Sequence, residues 1–343
     1  MKSRPISLAL QGGGAHGAFT WGVLDYILEN TELDIKAITA TSAGAMNAVA
    51  LASGYAAGGR EGARETLKMF WKDVSERGAP LAAANAITPT FGPFTPFAMF
   101  QALTNIASPY DLNPFDYNPL QQTLRKVIDF DLIRHQKEIE LFVAATNVET
   151  GKARIFETDE MSEDAVLASA CLPQVFKAVK VDDTALWDGG YVGNPALYPL
   201  FYADVPRDIL IVHINPMERS GTPKTASAIF DRLNEITFNA SLVSELRSIA
   251  FVQKLLDENW LTDRIRSRYR RLFVHAIRAD QQLGDLSIES KYETGWRFLK
   301  DLKNRGREAA ETWCTDNARQ VGKKSTVNIQ KEFLGAPEQT KLV

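Results

Sequence analysis

The sequence predicts an α/β fold: a mainly parallel central sheet with helices on both faces, plus a largely helical C-terminal extension. Two observations carry this. Residues 1–50 alternate apolar strand, small-residue turn and helix twice over, the pattern of parallel strands joined by crossover helices. Strand patterning returns after residue 140 and includes a continuous apolar run, DILIVHI at 208–214.

The elements follow in order. Residues 6–10 form a strand, 12–17 a glycine turn and 18–29 a helix with Val23 and Ile27, and Trp21, Leu24 and Leu28, at helical spacings. Residues 35–40 form the next strand and 43–52 the next helix. Residues 78–120 are rich in proline and phenylalanine and read as a long apolar excursion from the sheet. Strands follow at 140–146, 153–156, 179–181 and 185–187, with a small-residue helix at 162–171. An amphipathic helix spans 225–256, with Ile229, Leu233, Ile236, Ala240, Val243, Leu246 and Ala250 on its apolar face. A strand near 271–277 and a helix over 286–314 complete the chain, and the polar tail from 315 to 343 is expected to be disordered.

The 343 residues are 45% hydrophobic and 24% charged with a net charge of −3, so no nucleic-acid partner is expected. Two cysteines, Cys171 and Cys314, give neither a disulfide framework nor a metal spacing. The apolar run of the N-terminus stops at Gln11, too short for a signal peptide, and no stretch is apolar enough to span a bilayer. The expectation is a cytoplasmic protein, with membrane contact limited to a peripheral one.

Gly12, Gly14 and Gly17 spell G-x-G-x-x-G after the first strand, which is also the dinucleotide fingerprint. That reading needs an acidic residue about 20 positions on, at the end of the second strand. Glu32 and Asp34 precede the strand, which runs instead into Thr41-Ser42-Ala43-Gly44. Strand, serine apex and small-residue helix describe a nucleophile elbow, although a serine helix cap has the same local pattern. The two turns together favour acyl transfer. A serine nucleophile generates an oxyanion, and the bare N–H groups of Gly12, Gly13 and Gly14 suit one.

The base is less evident. Of the four histidines, His16 lies in the glycine loop, His135 in a charged helix end, and His213 and His275 in apolar strands that suit core histidines. Asp188, in Leu186-Trp187-Asp188-Gly189-Gly190, is either a turn aspartate or a base at a strand end.

In this order GGGAHG, TSAGA and DGG resemble the patatin-like phospholipase family over roughly residues 5–215. SACLPQVF before the third motif and GNPAL after it are similar too. The resemblance implies Ser42 as nucleophile, Asp188 as base without any histidine, and Gly12, Gly13 and Gly14 as the oxyanion loop. Ala43, Gly44, His16, Gly189 and Gly190 would support them. It implies a lipid or lysolipid acyl ester as substrate, and neither cofactor nor metal. Two positions depart from the family pattern: Ala40 stands where Gly is usual, and His16 where Arg or Lys is usual.

Residues 5–215 are thus expected to be the catalytic domain and 216–314 a helical extension packed on it. Phe91, Phe94, Phe97 and Phe100 recur every three residues and either wall an acyl-chain site or pack as ordinary core. The competing functional classes are a non-catalytic lipid-binding protein with a decayed site and a dinucleotide-dependent enzyme.

Overall fold

Strand Arg4–Leu10 (β1) lies near the middle of one eight-stranded sheet in the computed structural model, which describes residues 3–87, 107–219, 221–258, 260–266, 268–286 and 288–335. The other strands are Leu33–Ala40 (β2), Glu140–Asn147 (β3), Ala153–Glu157 (β4), Val179–Val181 (β5), Thr184–Asp188 (β6), Asp208–His213 (β7) and Phe273–Arg278 (β8). Their order is β5-β6-β3-β2-β1-β7-β8, with β4 also paired to β3. The pairs β1/β2, β1/β7, β2/β3 and β7/β8 are parallel, whereas β4, β5 and β6 run antiparallel to their neighbours.

Side-chain alternation splits the core between the two faces of the sheet. Leu8, Leu10, Leu210 and Val212 point into one apolar cluster, and Ala9, Ile209 and Ile211 into the other. The first face is covered by Gly17–Asn30 (α1), Ala43–Ile87 (α2), Glu163–Ser169 (α3) and Trp296–Asn317 (α5). The second is covered by Ala226–Asp257 (α4) and the short helix Ile329–Glu332. The expected sheet with helices on both faces is therefore present, and the region beyond 215 adds β8 to the same sheet.

Three expectations are corrected. The helix expected over 43–52 runs on to Ile87, interrupted only at Gly58 and Gly59, where the backbone leaves helical geometry. The tail is not disordered from 315: Val321, Ile329 and Phe333 are buried, and Thr326 and Val327 donate to the Val274 carbonyl. Its few apolar residues are spaced to plug the open side of β8, which composition averages hide. Finally, α4 turns its first half the other way. Ile229, Leu233, Ile236 and Ala240 are exposed, and Glu235 and Asn239 face inward with Leu242 and Leu246. Buried polar partners outweigh apolar periodicity there: Glu235 pairs with Arg219 and Arg232, and Asn239 bonds Gln11.

Helix α5 crosses α1 at a point where two glycines meet backbone. A Cβ on Gly22 would stand 1.9 Å from the Lys303 carbonyl oxygen, and one on Gly306 2.0 Å from that of Phe19. Buried Asp25 on α1 pairs across this crossing with Lys303 at 3.0 Å and with Arg307, and is also held by Arg64 at 3.1 Å. Gly306→Ala is expected to lower stability by about 1–3 kcal/mol, because one methyl must push two helices apart. Urea denaturation followed by circular dichroism checks this; an unchanged midpoint would show that the helices can separate without cost.

Candidate active site

Ser42 sits at the apex between β2 and α2. Its φ is +55°, a left-handed conformation that is costly for a residue with a side chain. The turn is held by the Gly44 N–H to the Thr41 carbonyl at 2.8 Å and the Ser42 N–H to the Ser169 hydroxyl at 2.9 Å. Gly44 is required by space: its Cβ would lie 2.3 Å from the Leu10 carbonyl oxygen, so α2 leaves the sheet directly over β1. Ser42 remains partly exposed while Thr41, Ala43 and Gly44 are buried.

Asp188 reaches Ser42 through a change of strand partners. On one edge of β3, β2 pairs as far as Ala40 opposite Val143. Two residues on, Ala145 pairs with Asp188 of β6 instead. Where β2 stops and turns, β6 therefore delivers its last residue. The Asp188 backbone is fixed by its N–H to the Cys171 carbonyl at 2.8 Å and by the Thr146 hydroxyl to its own carbonyl at 2.7 Å. The carboxylate accepts the Gly190 N–H at 2.7 Å, and the Ser42 hydroxyl lies near enough to draw its pKa down. It is almost wholly buried, and burial raises its pKa to about 6 against the pull of those two donors. Gly189 permits the close fit, since a Cβ there would lie 2.1 Å from the Ala144 carbonyl oxygen.

The glycine loop lies over the elbow. A Cβ on Gly12 would stand 2.6 Å from that of Ser42. The Gly12 N–H is already committed to the Asn194 side-chain oxygen at 2.7 Å, and the Gly12 carbonyl accepts from Asn215 Nδ2 at 2.7 Å. The N–H and C=O of a trans peptide point in opposite directions, so the Gly13 N–H faces away from Asn215. Gly14 has a φ of +60° and packs against the Lys291 carbonyl.

The histidines are placed elsewhere. His16 is buried, lies 2.7 Å from the Ser290 hydroxyl through Nε2, and is driven down to about 3 by burial and by nearby Lys291 and Arg219, so it is neutral. His213 contacts Asn239, and burial lowers its pKa to about 4. His275 contacts Asp208 and Thr326, and exposed His135 contacts the Asp131 carbonyl. Phe91, Phe94, Phe97 and Phe100 lie outside the described residues. Among the described residues no cluster of His, Cys, Asp or Glu could hold a metal ion. No helix among them is long and apolar enough to cross a membrane.

Sequence reasoning missed the polar residues that hold these loops. Gln11 accepts the N–H groups of Ile214 and Asn215 and donates to the Asn194 carbonyl and to Asn239. Asn194 and Ser169 lie in the flanking segments GNPAL and SACLPQVF, the only signal they gave. Asn215 follows directly on an apolar strand, and Lys291 had no signal.

A serine at a strand–helix elbow, a buried aspartate from a neighbouring strand and a glycine loop above both define the class of α/β proteins arranged like serine acyl hydrolases. The chain belongs to the patatin-like phospholipase family, whose model matches residues 8–201. It is similar to the cGAMP-activated phospholipase of Escherichia coli (strain TW11681), with 26% identity over 220 residues, 57% of this chain and 55% of that one. It thus spans about half the length of that curated relative. Among solved structures it is similar to VipD from Legionella pneumophila, at 13% identity over 97% of this chain and 73% of that one, with a TM-score of 0.43. It is also similar to a chain in the ExoU–SpcU complex of Pseudomonas aeruginosa, at 15% identity over 97% and 61%, with a TM-score of 0.30.

The raised Asp188 pKa has a consequence for stability. A carboxyl group whose folded pKa lies above the unfolded value of 3.8 binds its proton more tightly in the native state. Its ionisation therefore penalises the fold in full above pH 6, and the penalty fades as pH falls through 6 towards 4. The two-unit difference corresponds to about 3 kcal/mol. Asp188→Asn keeps an acceptor for Gly190 and is expected to melt higher than wild type at pH 8 and equally at pH 4. A lower melting temperature at pH 8 would contradict a dry carboxylate.

Proposed function

We propose that the chain is a lipid acyl-ester hydrolase of the phospholipase A or lysophospholipase kind, working through a Ser42–Asp188 dyad. The observation that carries this is a desolvated Asp188 carboxylate whose pKa is drawn down by the neighbouring Ser42 hydroxyl, at a partly exposed elbow. Family membership supports the ester chemistry and the lipid class of substrate.

Asp188 takes the Ser42 proton as Oγ attacks the acyl carbonyl carbon. The developing oxyanion is met by the Gly13 and Gly14 N–H groups, with Gly12 acting as a spacer because its own N–H is occupied. As the tetrahedral intermediate collapses, the ester C–O bond breaks and the leaving alcohol takes the proton from Asp188. Water, deprotonated by Asp188, then attacks the acyl-serine; the acyl–Oγ bond breaks, Asp188 returns the proton to Ser42, and the fatty acid is released. An aspartate near its ordinary pKa is a weak base at neutral pH, and burial to about 6 brings it close to its working range.

Ser42→Ala is expected to leave less than about 1% of wild-type activity on a short-chain ester with the fold intact, as nucleophile loss costs several orders of magnitude. Failure of wild type to react covalently with a fluorophosphonate probe would favour a non-catalytic lipid-binding protein. For active enzyme, kcat/KM is expected to rise with pH through a single ionisation near 6, since Asp188 must shed its proton to act as base. A pH-independent rate between 5 and 7 would remove Asp188 from that role.

A further inference from the structure

The glycine loop is gripped by a cation from far along the chain. Ile288–Tyr292 is a short 3-10 helix beneath the loop, beyond the region matched by the family model. There the Lys291 ammonium donates to Asn215 Oδ1 at 2.8 Å, and the Lys291 carbonyl backs Gly14. Asn215 is fully buried, and its Nδ2 donates to the Gly12 carbonyl at 2.7 Å and to Gln11 Oε1 at 3.2 Å.

A side-chain amide can be turned either way, and each orientation presents a different end to its surroundings. An ammonium can only donate, so Lys291 forces the amide oxygen towards itself and the amide nitrogen towards Gly12. That nitrogen holds the Gly12 carbonyl, which aims the N–H of the same peptide, that of Gly13, away from Asn215. The chain of constraint runs Lys291, Asn215, Gly12 carbonyl, Gly13 N–H. His16, the ionisable side chain within the loop itself, is neutral, so the cation bonded to this chain of contacts is Lys291.

We propose that Lys291 is a positioning residue that sets the Gly13 N–H for the oxyanion by fixing the orientation of the Asn215 amide. The proposal rests on the hydrolase reading above. Because it concerns a donor used in the transition state, it acts on kcat and not on substrate binding.

The test uses the full chain, a short p-nitrophenyl ester and the fluorophosphonate probe. Lys291→Met is expected to lower kcat about 30-fold with KM within twofold and the melting temperature within a few degrees. Lys291→Arg, which keeps charge and donors, is expected to recover most of that loss. Asn215→Asp keeps the acceptor for Lys291 but removes the donor to Gly12, and is expected to lose kcat similarly; it decides the matter if Lys291→Met does not fold. A folded Lys291→Met with kcat within twofold of wild type, a loss confined to KM, an arginine variant as slow as the methionine one, or a folded Asn215→Asp at wild-type kcat would each overturn the proposal alone. Wild type unreactive towards both ester and phosphonate would overturn the hydrolase reading and this inference with it.

Discussion

The site depends on keeping one carboxylate dry. Asp188 sits at the end of β6 with its carboxylate bonded to the Gly190 N–H and the Ser42 hydroxyl nearby, and almost none of it reaches solvent. A hydrated aspartate would hold its proton too weakly to draw one from a serine at neutral pH. In the proposed dyad, burial of Asp188 corrects this at a cost in folding energy, and the rest of the fold has to carry that cost. The exchange of β2 for β6 along β3 encloses the carboxylate, and Gly189 lets its strand end press against the backbone of β3.

The family model matches residues 8–201, but much of what holds the candidate site still lies outside them. The inward face of α4 carries Asn239, Ser241 and Glu245, which bond Gln11, the Asn194 N–H and the Leu197 N–H. These contacts tie the glycine loop to the segment that follows Asp188, so both loops of the candidate site are referred to one long helix. Helix α5 clamps α1, which leaves directly from the glycine loop. Buried amides suit this task because each fixes two directions at once, whereas apolar contacts alone would let the loops slide.

The strands and their succession were legible in the sequence because period-two burial and continuous apolar runs are local signals. Gly12–Gly14, Ser42 and Asp188 stood out because tight turns demand particular residues. The polar network was not legible. Gln11, Asn215 and Asn239 are distant in sequence, and nothing local distinguishes a buried amide from an exposed one. The face of α4 was misread for the same reason: periodicity assigns Ile229 and Leu233 to the core, but the partners waiting inside were Arg219 and Gln11. The ordered tail escaped notice because three spaced apolar residues in a polar stretch carry little compositional weight.

The fingerprint G-x-G-x-x-G is ambiguous for a physical reason. A pyrophosphate and a tetrahedral oxyanion ask for the same thing: bare N–H groups beside a helix N-terminus, with no side chain in the way. The glycines therefore report a demand for anion contact and not the identity of the anion. What decides between the two is the neighbour across the loop. Here a Cβ on Gly12 would collide with Ser42, and the Gly12 N–H is spent on Asn194. Ser42 thus stands directly against the first glycine, whose own N–H is not available to an anion. A loop whose first N–H is already bonded and whose first glycine abuts a serine suits a small, transient charge better than an extended diphosphate.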